Sequence, residues 1–303
     1  MPPFNKVILR HKRFYISRFS KLEDAPNLIF IHGGPGLNCG VIEYFIDHEN
    51  SFKSLNYNII FYDQRGCGRS KEVINASNET FHSDNVDDLH EIYKHLKSAN
   101  FNISGFIGHS YGAKILFDFL KVTNLHVPAI FVSTANNISV PRLNNLTLDF
   151  AYLKKYQPEK YQKILSKLDN MSSKKIWELT EELAPLFHEN KDRHHHYWAN
   201  LEIFKKYKKA QGKINLPINE QVFMSVRKDL YLDEKQFDLN IESLASPYIW
   251  INGIHDYIMN GADSLSSRPS KVIPFLKSAH YPHLEENEHF CHIINTFLEN
   301  IRS

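Results

Sequence analysis

From Asn27 onward, short apolar runs recur along the chain, each bounded by polar or glycine-rich turns: NLIFIHG, YNIIFYDQRG, FNISGFIGHS, VPAIFVSTA, PYIWINGIHD and KVIPFLKSAH. Unbroken apolar runs of this length suit strands buried on both faces of a parallel sheet. Before them, VILRHKRFYISRF reads as a β-hairpin at a sheet edge. Helical spacing appears between the runs. In SDNVDDLHEIYKHLKSAN, Val86, Leu89, Ile92, Tyr93 and Leu96 make one stripe behind a candidate N-cap at Ser83 or Asp84. GAKILFDFLKV follows the third run, and ENEHFCHIINTFLENI ends the chain with Phe290, Ile293, Ile294, Phe297 and Leu298 on one face. Strand and helix in alternation predict a mostly parallel, doubly wound α/β sheet with right-handed crossovers.

The rhythm breaks between about Asn136 and Ser243. LTLDFAYLKKY, EKYQKILSKLDN, SSKKIWELTEELAPLF and DRHHHYWANLEIFKKYKKA carry helical but not strand periodicity. The expected organisation is therefore a core built from 1–135 and 244–303, with 136–243 inserted as a helical segment between two strands.

Composition narrows the function classes. Of 303 residues, 42% are hydrophobic and 23% charged, the proportions of an ordinary globular protein. A formal net charge of +2 gives no electrostatic reason to expect nucleic acid or an anionic membrane as partner. Cys39, Cys67 and Cys291 are odd in number and form no CxxC, which fits a reducing compartment. No apolar segment matches a signal peptide or approaches the ~20 residues that span a bilayer, so the expectation is a cytoplasmic protein.

The chemistry lies at the ends of the apolar runs. Gly108-His109-Ser110-Tyr111-Gly112 stands directly after one run and directly before a helix, the context that a G-x-S-x-G nucleophile turn requires. The turn must be sharp to expose the hydroxyl, and glycine on both flanks leaves room for it. The following helix aims its N-terminus at any negative charge developing there. His32-Gly33-Gly34-Pro35-Gly36 follows the first long run. Its backbone can approach an oxyanion. The N–H groups of Gly34 and Tyr111 are the expected donors, because Pro35 has none. His32 reads as structural.

A serine nucleophile needs an imidazole, and the imidazole needs a carboxylate. Asp256 follows PYIWING and His280 follows KVIPFLKSA, each just past a predicted strand on the same side as Ser110. His283 and His255 compete with His280; Asp238 and Asp263 are weaker alternatives to Asp256. Acyl transfer by such a set calls for no metal or organic cofactor. His194-His195-His196 is no metal site, because consecutive residues on a helix point about 100° apart. Asp63 and Arg65 read as structural, fixing a loop by charge-assisted hydrogen bonds. Tyr152, Tyr156, Trp177, Tyr197 and Trp198 read as packing between helices of the insertion, with the lining of a substrate pocket as the alternative.

HGGPG at 32–36, DQRGCGRS at 63–70, GHSYG at 108–112, Asp256 and the His280 segment together resemble the proline iminopeptidase group of α/β-hydrolases. The resemblance implies an α/β-hydrolase fold with a helical cap over the site. It implies release of an N-terminal residue, usually proline, from a small peptide or amide; a small-molecule ester or amide is the alternative substrate. It also implies an acidic cap residue that holds the substrate ammonium, and in Pro217-Ile218-Asn219-Glu220 the matching residue is Glu220. Two positions depart from the pattern: Tyr257 follows Asp256 where some members carry Glu, and His109 precedes the serine where many carry glycine.

Overall fold

The computed structural model describes residues 4–21, 23–70, 81–137, 139–166, 173–183, 186, 191–232, 239–260 and 272–302. Among these, eight strands form one sheet: β1 (Asn5–His11), β2 (Phe14–Ser20), β3 (Asn27–Ile31), β4 (Asn58–Tyr62), β5 (Ile103–His109), β6 (Ala129–Val132), β7 (Tyr248–Gly253) and β8 (Val272–Phe275). Their spatial order is β1-β2-β4-β3-β5-β6-β7-β8. The β1–β2 hairpin and the β2–β4 pair are antiparallel, and every other pair is parallel. The order doubles back at β4-β3-β5, so the crevice at the carboxyl ends of β3 and β5 is where such a sheet binds ligands.

Strand period two divides the core into two layers. Ile29 and Ile31 of β3, Phe106 of β5 and Phe131 of β6 face helices α2 (Phe81–Ser98) and α3 (Tyr111–Thr123). Leu28, Phe30, Ile107 and Ile130 face the opposite way, toward α1 (Gly40–Glu49) and the C-terminal helix Asn287–Arg302. The apolar runs lack polar alternation because both layers bury them.

Between β6 and β7 the described residues hold helices and no strand: α4 (Ser139–Tyr156), α5 (Pro158–Leu165), α6 (Ser173–Leu183), a 3₁₀ turn at Lys191–His196, α7 (Leu201–Ile214) and α8 (Glu220–Leu232). Leu146, Leu153, Ile164, Leu179 and Leu183 make a small core of their own. The buried stripe of α8, Val222, Val226 and Leu230, instead joins the layer containing α2 and α3.

Two expectations are corrected. DRHHHYWANLEIFKKYKKA is not one helix: α7 starts at Leu201 because the Asn200 side chain accepts the N–H groups of Glu202 and Ile203. And α2 begins at Phe81, ahead of Ser83 and Asp84. Its first N–H groups, from Phe81 and His82, go to the carboxylate of Asp229 on α8, so the cap arrives from a distant part of the chain. Asp238, Asp263 and the Trp177 side chain lie outside the described residues. No helix of the described residues is long and apolar enough to cross a membrane.

Candidate active site

Ser110 sits between β5 and α3 with φ 53° and ψ −119°, a backbone state that a non-glycine residue occupies only when its surroundings enforce it. Its N–H is tied to the Val132 carbonyl at 2.8 Å, and its carbonyl accepts from Ala113 at 3.0 Å. Gly112 makes the turn possible: a Cβ there would lie 2.2 Å from the Ile31 carbonyl oxygen and 2.6 Å from that of His32. Both obstacles are backbone and cannot yield. Gly112→Ala is therefore expected to cost about 3 kcal/mol and to disorder the turn; urea unfolding checks it, and an unchanged midpoint would refute the steric account.

Asp256, fully buried, receives the N–H groups of Ile258 and Met259 on Oδ1, both at 3.1 Å. Its other oxygen accepts from Nδ1 of His280 at 2.8 Å. That bond places the Nδ1 proton between the two residues and leaves Nε2 of His280 as the basic nitrogen. The two loops cross at Gly253, where a Cβ would meet the Ala279 and Ser278 carbonyl oxygens at 2.2 and 2.3 Å. The neighbour of the serine completes the assembly. His109 donates from Nε2 to the His280 carbonyl at 2.8 Å, with the two rings 5.0 Å apart. Ser110 Oγ and the His280 ring are not hydrogen-bonded in this structure.

The competing histidines are placed elsewhere. His283 is fully buried beside Phe30 and His109, neither ring nitrogen has a hydrogen-bond partner, and burial drives its pKa down to about 3, helped by nearby His280. It is a neutral packing residue. His255 is exposed. His109 is likewise held neutral, first by burial and then by the neighbouring imidazoles of His283 and His280.

The glycine loop at 32–36 lies against the loop after β4. His32 Nδ1 donates to the Gly33 carbonyl at 2.8 Å, and Nε2 accepts from the Gln64 N–H at 3.1 Å. One tautomer satisfies both nitrogens, and burial lowers the pKa of the ring. Asp63 accepts from the Cys39 and Arg69 N–H groups and from the Arg69 guanidinium, which also forks onto buried Glu43. Arg65 ties the same loop to Asp84 and Asp88 of α2. His32, Cys39 and Asp63 bring three possible ligand atoms within 4.8 Å of one another. They form no metal centre: both imidazole nitrogens are engaged, the thiol donates to the Tyr62 carbonyl, and Arg69 already supplies the positive charge at Asp63.

The helical segment touches the glycine loop and the loops that carry Asp256 and His280, a feature that periodicity does not reveal. Asn144 donates to the carbonyls of Tyr257 and Ile258 beside Asp256, both at 2.9 Å. The Tyr197 carbonyl accepts the His280 N–H, and the Tyr197 ring stands edge-on to the imidazole at 5.2 Å. Glu285 receives the N–H groups of Ala199 and Asn200 on one oxygen and those of Ala279 and Tyr281 on the other. Burial raises its pKa against the pull of those donors. Asn219 donates its own N–H to the Gly36 carbonyl at 2.9 Å. Glu220 is exposed on the first turn of α8. His195 is exposed, while His196 lies against Tyr257.

The family model described as alpha/beta hydrolase fold matches residues 26–287, most of the chain. The chain belongs to that family. This α/β hydrolase is 23% identical over 283 residues to the proline iminopeptidase of Saccharolobus solfataricus, covering 91% of this chain and 86% of the relative. It is 24% identical over 290 residues to the proline iminopeptidase of Thermoplasma volcanium, covering 91% and 90%. Among solved structures, the proline iminopeptidase-related protein from Thermus thermophilus superposes with a TM-score of 0.64 at 19% identity, covering 98% of this chain and 97% of that one. An esterase from Exiguobacterium antarcticum superposes with a TM-score of 0.54 at 14% identity, covering 94% and 95%. The structural likenesses show the fold of this α/β hydrolase.

Proposed function

We propose that this α/β hydrolase is a serine hydrolase of the proline iminopeptidase type, releasing an N-terminal residue from small peptides or amides through an acyl-enzyme. The observation that carries the reading is the 2.8 Å bond from His280 Nδ1 to buried Asp256, set against the Ser110 turn by the His109 link. In the mechanism, a rotation of the Ser110 side chain brings Oγ to Nε2 of His280. The imidazole takes the hydroxyl proton as Oγ attacks the carbonyl carbon. The tetrahedral oxyanion rests on the N–H groups of Tyr111 and Gly34. As the intermediate collapses, the C–N bond breaks and His280 gives its proton to the leaving amine. Water then enters, loses a proton to His280 and attacks the acyl carbon; Ser110 leaves with that proton. Asp256 keeps the imidazole in one tautomer and balances its transient charge.

On this reading residues 136–243 form a cap over the site, and Glu220 meets the substrate ammonium. The relatives named proline iminopeptidase support the aminopeptidase assignment. A second reading, a small-molecule esterase or amidase, is favoured by two observations: Glu220 is exposed, and buried Asp149 is already paired with Arg193 at 2.9 Å. A serine-directed fluorophosphonate, located by mass spectrometry, is expected on Ser110; labelling elsewhere, or none, would end the proposal. Prolyl naphthylamide against short-chain nitrophenyl esters separates the two substrates. Glu220→Gln is expected to weaken naphthylamide turnover about tenfold and leave ester hydrolysis alone; equal effects on both would remove Glu220 from the ammonium site.

A further inference from the structure

Helix α8 reaches both halves of the oxyanion site, by two separate routes. At its N-terminus Asn219 does three things at once. Its N–H donates to the Gly36 carbonyl of the glycine loop at 2.9 Å. Its side-chain N–H donates to the Gly66 carbonyl at 2.7 Å, fastening that loop's neighbour. Its Oδ1 accepts the N–H groups of Gln221 and Val222 and so caps α8. Nearly three turns on, Asp229 accepts the His82 N–H at 3.2 Å.

His82 continues inward to the residue that follows the nucleophile. Its Nδ1 meets the Tyr111 hydroxyl at 3.0 Å and its Nε2 meets Asp118 Oδ2 at 2.7 Å. Lys114 donates to the same carboxylate, and Asn85 donates to the Tyr111 oxygen at 3.3 Å. Proton directions close in one way. Asn85 donates to the tyrosine oxygen, the tyrosine O–H donates to Nδ1, and Nε2–H donates to Asp118. The groups that make these bonds are buried or half-buried. The Tyr111 side chain is thereby fixed at its far end. Val222 and Val226 between its two attachments, and Leu230 just past the second, seat α8 in the main core.

We infer that α8 is a brace that sets the spacing between the two oxyanion donors, with Asn219 positioning the Gly34 side and Asp229, through His82, positioning the Tyr111 side. The inference rests on the reading of Ser110, Gly34 and Tyr111 given above. Donor geometry matters only where the oxyanion forms, so losing the brace lowers kcat and spares substrate binding.

The test uses the full chain, with active sites counted by fluorophosphonate labelling. Asn219→Ser keeps a helix cap and the backbone bond to Gly36 but is too short to reach Gly66, so it removes the side-chain half of the Asn219 attachment. Asp229→Ala removes the acceptor, and Asp229→Asn restores one. In the first two, kcat per labelled site is expected to fall about tenfold, a fraction of what a whole donor contributes, with KM within about twofold. Inhibition by phenylboronic acid, whose tetrahedral adduct places an oxygen in the same site, is expected to weaken by a similar factor. Asp229→Asn is expected to stay within about threefold of the parent. Unchanged kcat per labelled site in Asn219→Ser and Asp229→Ala, even with a lower unfolding temperature, would reduce both residues to fold stability and overturn the inference. If Asp229→Ala does not fold, Asn219→Ser decides alone. Failure of the parent to label at Ser110 would instead overturn the reading beneath it, and the brace with it.

Discussion

Replacing Ser110 with Ala is expected to lower kcat by about 10⁴- to 10⁶-fold on whichever acyl substrate the parent enzyme turns over, because in the proposed mechanism Ser110 Oγ forms the acyl-enzyme. The residual rate would come from the oxyanion donors and from substrate positioning. The fold should survive, since Ser110 Oγ makes no hydrogen bond among the described residues and its N–H and carbonyl bonds are backbone. The backbone angle adds an internal control. Alanine must still hold φ near 53°, whereas glycine adopts it without strain. Ser110→Gly should therefore be equally inactive but more stable than Ser110→Ala by ~1 kcal/mol. Steady-state kinetics and urea unfolding on both variants check this. A Ser110→Ala enzyme that retained a tenth of the parent rate would remove Ser110 from the chemistry.

The second large effect concerns stability. The Arg69 guanidinium lies between Asp63 and Glu43, donating from Nε and Nη2 to the first and from both Nη atoms to the second at 2.7 to 3.0 Å. Asp63 is fully buried and Glu43 nearly so, at 2% exposure. Arg69→Met would leave two carboxylates away from water, Glu43 with Lys6 and the Ser17 hydroxyl and Asp63 with backbone N–H donors. Breaking a buried pair in this way costs about 3–5 kcal/mol, since the charge left behind keeps its desolvation penalty. Arg69→Lys should fall between the two, because an ammonium keeps the charge and loses the fork. The midpoint of urea unfolding measures both. A loss below about 1 kcal/mol in Arg69→Met would show that water or rearrangement reaches these acids. Asp63 also receives the Cys39 N–H at the start of α1, so partial damage to the adjoining glycine loop should lower activity as well.

The positions of the strands are legible in the sequence because the signal is local. A run such as NLIFI has no polar alternation, and such a run must be covered on both faces wherever it ends up. The sharp turn at Ser110 is legible for the same reason, since a strand end, two glycines and a helix start are contiguous in GHSYG. The preference for His280 over His283 rests on distance from a strand end. In the structure that distance becomes a bond to Asp256 for one and full burial without a partner for the other. The periodicity of DRHHHYWANLEIFKKYKKA runs on through Asn200 and so predicts one helix, whereas the cap that starts α7 is a single side chain that periodicity does not register.

What the chain alone determined are the quantities that depend on near neighbours: strand and helix periods, the alternation that implies a doubly wound sheet, and the residue types at each turn. Only the tertiary structure decided the strand order, the cap that Asp229 places on α2, the hold of Asn144, Tyr197 and Asn219 on the loops of the site, and the exposure of Glu220. The physical reason is that a hydrogen bond is specified by distance and direction in space. Residues 82 and 229, or 36 and 219, acquire both only after the apolar layers have packed and brought remote segments together.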